Sequence, residues 1–262
     1  RREALTIVDG EVTEFVNAKE LSVGTLTYKR SLPSKDWQSL YVPFEIPVAT
    51  LTNLGYDVAY TNDVHFEGAE DDGIVDEIWV EYIAIKSGTL KANFPYVIRA
   101  TSDEALDMEI VLEDATLCAT ATTNENKIEC SSAFFKFEFV GTYNTINRVD
   151  MSDGRTASCF ALTKELGLWA EFTKDEYTLS PFRVYMTMES KSGSPIVISE
   201  EAKRSIGSRV VGEENEDGTT TIYDVVADRE VDGTIYDLQG RKVLEITEPG
   251  IYIINGKKVF IK

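Results

Sequence analysis

The sequence predicts an all-β protein: an antiparallel β-sandwich of jelly-roll type followed by a small β-meander tail. Three observations carry this. Apolar and polar residues alternate with a period of two in run after run. Turn dipeptides ending in glycine recur between the runs, among them Asp9-Gly10, Asp72-Gly73, Ser87-Gly88, Asp153-Gly154 and Ser192-Gly193. Helical periodicity is scarce, with a short helix expected over 200–206.

In chain order, the run from Trp37 to Pro47 and the run from Ile74 to Lys86 are rich in β-branched and aromatic residues, which suit a half-buried pleated surface. Phe135, Phe137 and Phe139 alternate with Lys136 and Glu138. Phe182, Val184 and Met186 alternate with Arg183 and Tyr185. These place the sandwich domain over residues 1–198. Residues 199–220 are polar and carry three glycines, so they read as a connector. Residues 221–262 form a separate small β unit. Within it, 234–243 reads as strand, tight turn, strand, and 251–261 as a hairpin about Asn255-Gly256. A type I′ turn needs positive φ at both central residues, which Asn and Gly tolerate.

The 262 residues include 26 basic and 45 acidic ones, a net charge of −19. The excess acid lies in the large domain, because residues 233–262 carry five basic and three acidic residues. Such a field repels nucleic acid and anionic lipid, and argues against partners of either kind. No apolar run approaches the roughly 18 residues of a membrane-spanning helix. The chain opens Arg1-Arg2-Glu3 without a methionine, the expectation for a processed or trimmed chain. Cys118, Cys130 and Cys159 have no CxxC spacing, and His65 is the single histidine, so a Cys/His zinc site has almost no support. Cys118 and Cys130 flank a polar stretch that a hairpin would fold over, which leaves a disulfide between them open beside the default of buried thiols.

The tail run Tyr236-Asp237-Leu238-Gln239-Gly240-Arg241-Lys242-Val243, then Pro249-Gly250-Ile251-Tyr252 through Asn255-Gly256-Lys257-Lys258-Val259, resembles the C-terminal sorting-tail family of the type IX secretion system. Tyr236, Asp237, Gly240, Arg241, Gly250, Tyr252 and Gly256 carry the likeness. The resemblance covers about forty residues of the 262 and is short for the family, whose tails are usually longer immunoglobulin-like domains. It implies export across two membranes, secretion machinery as a partner of the tail, and a place outside the cell or on its outer surface. In the large domain, Leu26–Arg30 with Trp37–Phe44, Ala92–Ile98 and Pro181–Tyr185 are similar to segments of uncharacterised secreted or surface β-proteins of anaerobic Gram-negative bacteria, from which no function transfers.

Among candidate sites, Glu77, Trp79 and Glu81 share one face of a strand. An indole between two carboxylates can stack on a sugar ring while the acids accept hydroxyl hydrogen bonds; the plainer reading is a solvated acidic face with Trp79 packed under a loop. Two carboxyls about 5 Å apart also suit a retaining glycosidase. Glu67, Glu70, Asp71, Asp72 and Asp76 make an acid cluster that a calcium ion, taking six to eight oxygens, could use through Glu70, Asp71 and Asp72; the spacing is not that of an EF-hand, and a self-repelling solvated loop is the plainer reading. His65 reads as structural, and Trp37 and Trp169 as core. No phosphate loop, dinucleotide fingerprint or nucleophile elbow occurs. The expectation is therefore a secreted or surface-displayed, non-enzymatic protein without a cofactor. It would serve as an adhesion, scaffold or glycan-contacting module meeting glycans or other surface proteins. The alternative is an accessory to carbohydrate-active enzymes or a weak glycosidase using Glu77 and Glu81.

Overall fold

The computed structural model describes residues 2–68, 73–120, 127–164, 166–194 and 196–223, and four strands between 235 and 261. The chain divides into two units, Arg1–Tyr223 and Asp224–Lys262. In chain order the strands of the first are β1 (Arg2–Val8), β2 (Leu21–Ser31), β3 (Gln38–Leu40), β4 (Ile46–Pro47), β5 (Tyr56–Glu67), β6 (Ile74–Val75), β7 (Glu77–Ile85), β8 (Thr89–Leu90), β9 (Tyr96–Ala100) and β10 (Asp107–Leu117). There follow β11 (Ile128–Ser131), β12 (Phe135–Thr142), β13 (Ile146–Asn147), β14 (Ser158–Leu162), β15 (Trp169–Glu171), β16 (Thr178–Leu179), β17 (Arg183–Ser190), β18 (Val197–Ile198), β19 (Gly207–Glu214) and β20 (Thr220–Ile222). Among the described residues three short α-helices interrupt them, α1 (Val48–Asn53), α2 (Arg148–Ser152) and α3 (Glu200–Arg204), with a 3-10 turn at Glu104–Leu106. The protein is all-β, as the periodicity predicts.

A six-stranded sheet runs β20-β19-β7-β5-β9-β3, a five-stranded sheet β11-β12-β17-β14-β15, and a three-stranded sheet β1-β2-β10. Side chains of the two larger sheets meet in one core. Phe66 from β5 packs on Phe135 and Phe137 from β12, at centroid separations of 5.3 and 5.7 Å. Trp169 packs edge-on to Phe139 at 5.4 Å and gives its indole N–H to the Tyr82 hydroxyl at 2.9 Å. The alternation explains the layering: Phe135, Phe137 and Phe139 are buried, as are Ile78, Val80 and Tyr82 on β7. Glu138 breaks the pattern. It is buried too, and is tolerated because Lys127, Lys136 and Arg155 surround its carboxylate. Burial alone would raise that carboxyl; hydrogen bonds from Lys127, Arg155 and Lys136 instead hold it down to about 2.

Two expectations are corrected here. The sheets are not purely antiparallel, since β1 pairs with β2, β18 with β6 and β19 with β7 in parallel. The long excursion between β7 and β19 supplies the crossover that parallel neighbours need. Residues 199–220 are also not a connector. They hold α3, whose N-cap Ser199 hydroxyl accepts from the Ala202 amide, then β19 and the first residue of β20. Val211 and Ile206 are buried in this stretch, and the polar composition goes with a strand that has β7 on one side and only the short β20 on the other. The unit boundary accordingly falls after Tyr223, not at 198. The three cysteines are free thiols, so Cys118 and Cys130 are not bridged.

Asp9, at the turn after β1, gathers a buried polar cluster. Its Oδ2 accepts from the Tyr28 hydroxyl at 2.7 Å and from Arg183 at 2.5 Å, with Arg30 Nε at 3.5 Å. Arg30 also donates to the Ser39 carbonyl at 2.6 Å. The cluster ties β2 to β17 and to the start of β3 in charge-assisted contacts.

In the second unit the strands are β21 (Ile235–Asp237), β22 (Lys242–Val243), β23 (Gly250–Ile254) and β24 (Lys257–Ile261), ordered β22-β21-β23-β24. Both expected hairpins are present, with Ile235 opposite Val243 and Ile254 opposite Lys257. The tail is not a simple meander, however: β23 returns to the free side of β21 instead of pairing with β22, so β21 joins the first hairpin to the second.

Candidate functional site

The predicted trio lies on β7, in the interior of the six-stranded sheet between β5 and β19. Trp79 sits opposite His65 on β5 and Gly207 on β19; Glu77 is opposite Glu67, and Glu81 is opposite both Asp63 and Arg209. Cross-strand partners share a face, so the structure gathers one tryptophan, four carboxylates, one histidine and one arginine there. The buried Ile78, Val80 and Tyr82 anchor the opposite face of β7.

The indole of Trp79 is half-buried and lies across the backbone of β19. A Cβ at Gly207 would stand 2.5 Å from its six-membered ring, so only glycine admits this pose. The indole N–H donates to Glu77 Oε2 at 3.2 Å. The Arg209 guanidinium stands 5.4 Å from the ring centroid, within cation–π range. It donates to Glu81 Oε1 from Nη2 at 2.6 Å and from Nε at 3.1 Å, and to Glu67 Oε1 from Nη1 at 3.4 Å. His65 is exposed, with Nε2 3.9 Å from Glu67 Oε1.

A cleft of about 260 Å³ opens beside this platform, lined by Trp79 and Gly207 on one side and by Trp37, Asp36, Lys35 and Arg99 on the other. Trp37 packs edge-on against Tyr82 at 5.6 Å, and Arg99 stacks over its ring at 4.7 Å. The loop before β15 closes one end. Its Leu166 has φ of 74° and is 74% exposed, an uncommon backbone conformation for a branched residue. The Leu166 amide donates to Asp36 Oδ2 at 2.8 Å, and the Gly167 carbonyl accepts from the Ser208 hydroxyl at 3.0 Å, which holds the loop in place. Below the cleft, burial pushes the Tyr82 phenol well up, so it stays neutral while accepting from Trp169.

Of the predicted residues, Glu77, Trp79 and Glu81 do share a face, but neither glutamate lines the cleft. Both are engaged, Glu77 by the indole and Glu81 by Arg209. Glu70, Asp71 and Asp72, the calcium candidates, lie outside the described residues. Among the described residues no group of three His, Cys, Asp or Glu side chains is placed to hold a metal ion. Of the tail motif, Tyr236 and Asp237 fall in β21 and Gly250 and Tyr252 in β23, while Gly240, Arg241 and Gly256 lie outside the described residues. Trp169 is fully buried, as expected; Trp37 is mostly core but shows an edge to the cleft.

The sequence reading missed Arg209 and Gly207, because their segment looked like a linker. The available signal was Ile206 and Val210-Val211 bracketing them in an otherwise polar stretch. No family model matches the chain, and neither a curated protein nor a solved structure does.

Proposed function

We propose that the protein is a secreted or surface-displayed module that contacts glycans through the Trp79 platform, without catalysing a reaction. The observation that carries this reading is the pose of Trp79: a half-buried indole seated on the Gly207 backbone and fixed by Glu77 and Arg209. A fixed aromatic ring offers a flat apolar surface to sugar C–H groups at low entropic cost. The carboxylates around it supply acceptors for sugar hydroxyls, and the neighbouring cleft adds a second indole edge and the donors of Lys35 and Arg99.

The same contacts weigh against a glycosidase. Such an enzyme needs one carboxyl held protonated as the acid and the other free to attack. Glu81 instead accepts two guanidinium N–H groups, and Glu77 accepts the indole N–H. The placement outside the cell rests on the resemblance of the tail. The excess negative charge agrees with a soluble surface that avoids anionic lipid.

The test is a glycan array probed with the wild-type chain and with Trp79→Ala. Specific signals that vanish in a folded Trp79→Ala variant support the reading. Signals that persist in the variant contradict it.

A further inference from the structure

We propose a second binding site, for an amphipathic organic anion: a hydrocarbon body carrying one carboxylate or sulfate. It is a cleft of about 730 Å³ at the end of the five-stranded sheet, separate from the Trp79 platform. Its walls come from the start of β12, the end of β17, the loop between α2 and β14, and the β18–α3 segment.

The charge of the lining is the first argument. In a chain with 45 acidic and 26 basic residues, this cleft is lined by Arg148, Arg155 and Lys203, and no carboxylate stands among its lining residues. Clefts lined by one sign of charge concentrate the opposite ion. Each cation has an acidic partner set back from the lining: Asp175 for Arg148, Glu200 for Lys203, and Glu138 with Glu189 for Arg155. These contacts leave donors unused. Arg155 spends Nη1 on Glu138 and Glu189 and Nε on the Ser152 carbonyl, and Nη2 has no partner among the described residues. Arg148 uses Nε and Nη2 on Asp175, with Nη1 similarly unspent.

The floor is the second argument. Phe135, Met188 and Ile198 close the floor as buried core residues, while half-buried Ile196 and Val197, 61% exposed at the rim, give the cleft its accessible apolar surface. Phe135 and Met188 are inward-facing positions of neighbouring strands, so the cleft reaches the edge of the hydrophobic core. Cations above an apolar floor match a ligand with an anionic head and a hydrocarbon body. A free inorganic anion would leave the floor wet, and a neutral hydrocarbon would leave the cations without a counter-charge.

The experiment is isothermal titration of the full chain with sodium dodecanoate below its micelle-forming concentration. Butanoate serves as the head-only control and dodecyl maltoside as the neutral-head control. Dodecanoate is expected to bind at one site, with both controls at least about tenfold weaker. Arg148→Gln with Lys203→Gln removes two cations whose partners are exposed acids, and is expected to weaken dodecanoate about tenfold with an unchanged melting temperature. Val197→Asp places an anion on the exposed rim and is expected to abolish binding in a chain that still folds. Absence of dodecanoate binding overturns the proposal. So does a maltoside or butanoate affinity equal to that of dodecanoate, or unchanged affinity in either variant. Because none of these residues touches Trp79, failure here leaves the glycan array result independent.

Discussion

Replacing Glu138 by glutamine tests how the sheet tolerates a buried charge. The side chain is 4% exposed and takes hydrogen bonds from Lys127, from Lys136 at 3.0 Å and from Arg155 at 2.7 Å. These hold its carboxyl at about 2 against an ordinary 4.5, a difference that corresponds to roughly 3 kcal/mol. The three cations are each about a third exposed, so water screening reduces this to about 2 kcal/mol. The folded value is depressed, so the contribution is complete above the unfolded carboxyl's range near 4.5 and is lost as pH falls toward about 2. Urea unfolding of wild type and Glu138→Gln at about pH 7, 4 and 3 measures it. The variant should be less stable by about 2 kcal/mol at neutral pH, with the gap closing progressively on acidification. A gap that stays constant with pH would refute the reasoning, because a lost packing contact does not titrate.

Asp9→Asn removes the carboxylate that compensates buried Arg30 and partly buried Arg183, and should lower stability by about 3–5 kcal/mol in thermal or urea melts. Gly207→Val drives a side chain into the Trp79 ring, so the indole must leave its seat; the near-ultraviolet circular dichroism of Trp79 should change and glycan signals should fall, while the fold persists. The thiols should separate by reactivity: burial, with Asp63 and Glu129 nearby, pushes Cys130 up to about 12, so a disulfide reagent at about pH 8 should label half-exposed Cys118 first and buried Cys130 and Cys159 only on unfolding.

The strands were legible wherever one face is buried, because a period of two then appears in the residues themselves. Ile78, Val80 and Tyr82 against Glu77, Trp79 and Glu81 are the clearest case. Legibility failed where a strand lies near a sheet edge. β19 shows its polar groups to solvent and carries two glycines, so Gly207 to Glu214 looked like a linker although it pairs with β7 from Trp79 to Ile85. Glu138 misled in the opposite direction, since its burial depends on cations from positions 127 and 155 that local alternation cannot reveal. The site was half-visible for the same reason. Strand geometry alone aligned Glu77, Trp79 and Glu81, but the residues that set the pose of the indole, Gly207 and Arg209, are about 130 positions away and arrive through a parallel pairing. The strand order of the tail was likewise invisible, since both hairpins can be read locally and the choice of β21 as their common neighbour cannot.

The proposed glycan contact depends most directly on Trp79. The three indole N–H resonances give the measurement, followed by two-dimensional NMR while cello-, xylo- and malto-oligosaccharides are titrated in at millimolar concentration. Trp79, bonded to Glu77 at the surface, should shift with a saturating dose dependence, and Trp169, sealed against Tyr82 in the core, should stay in place. An unmoved Trp79 alongside array-positive binding, or equal movement of Trp169, would contradict it.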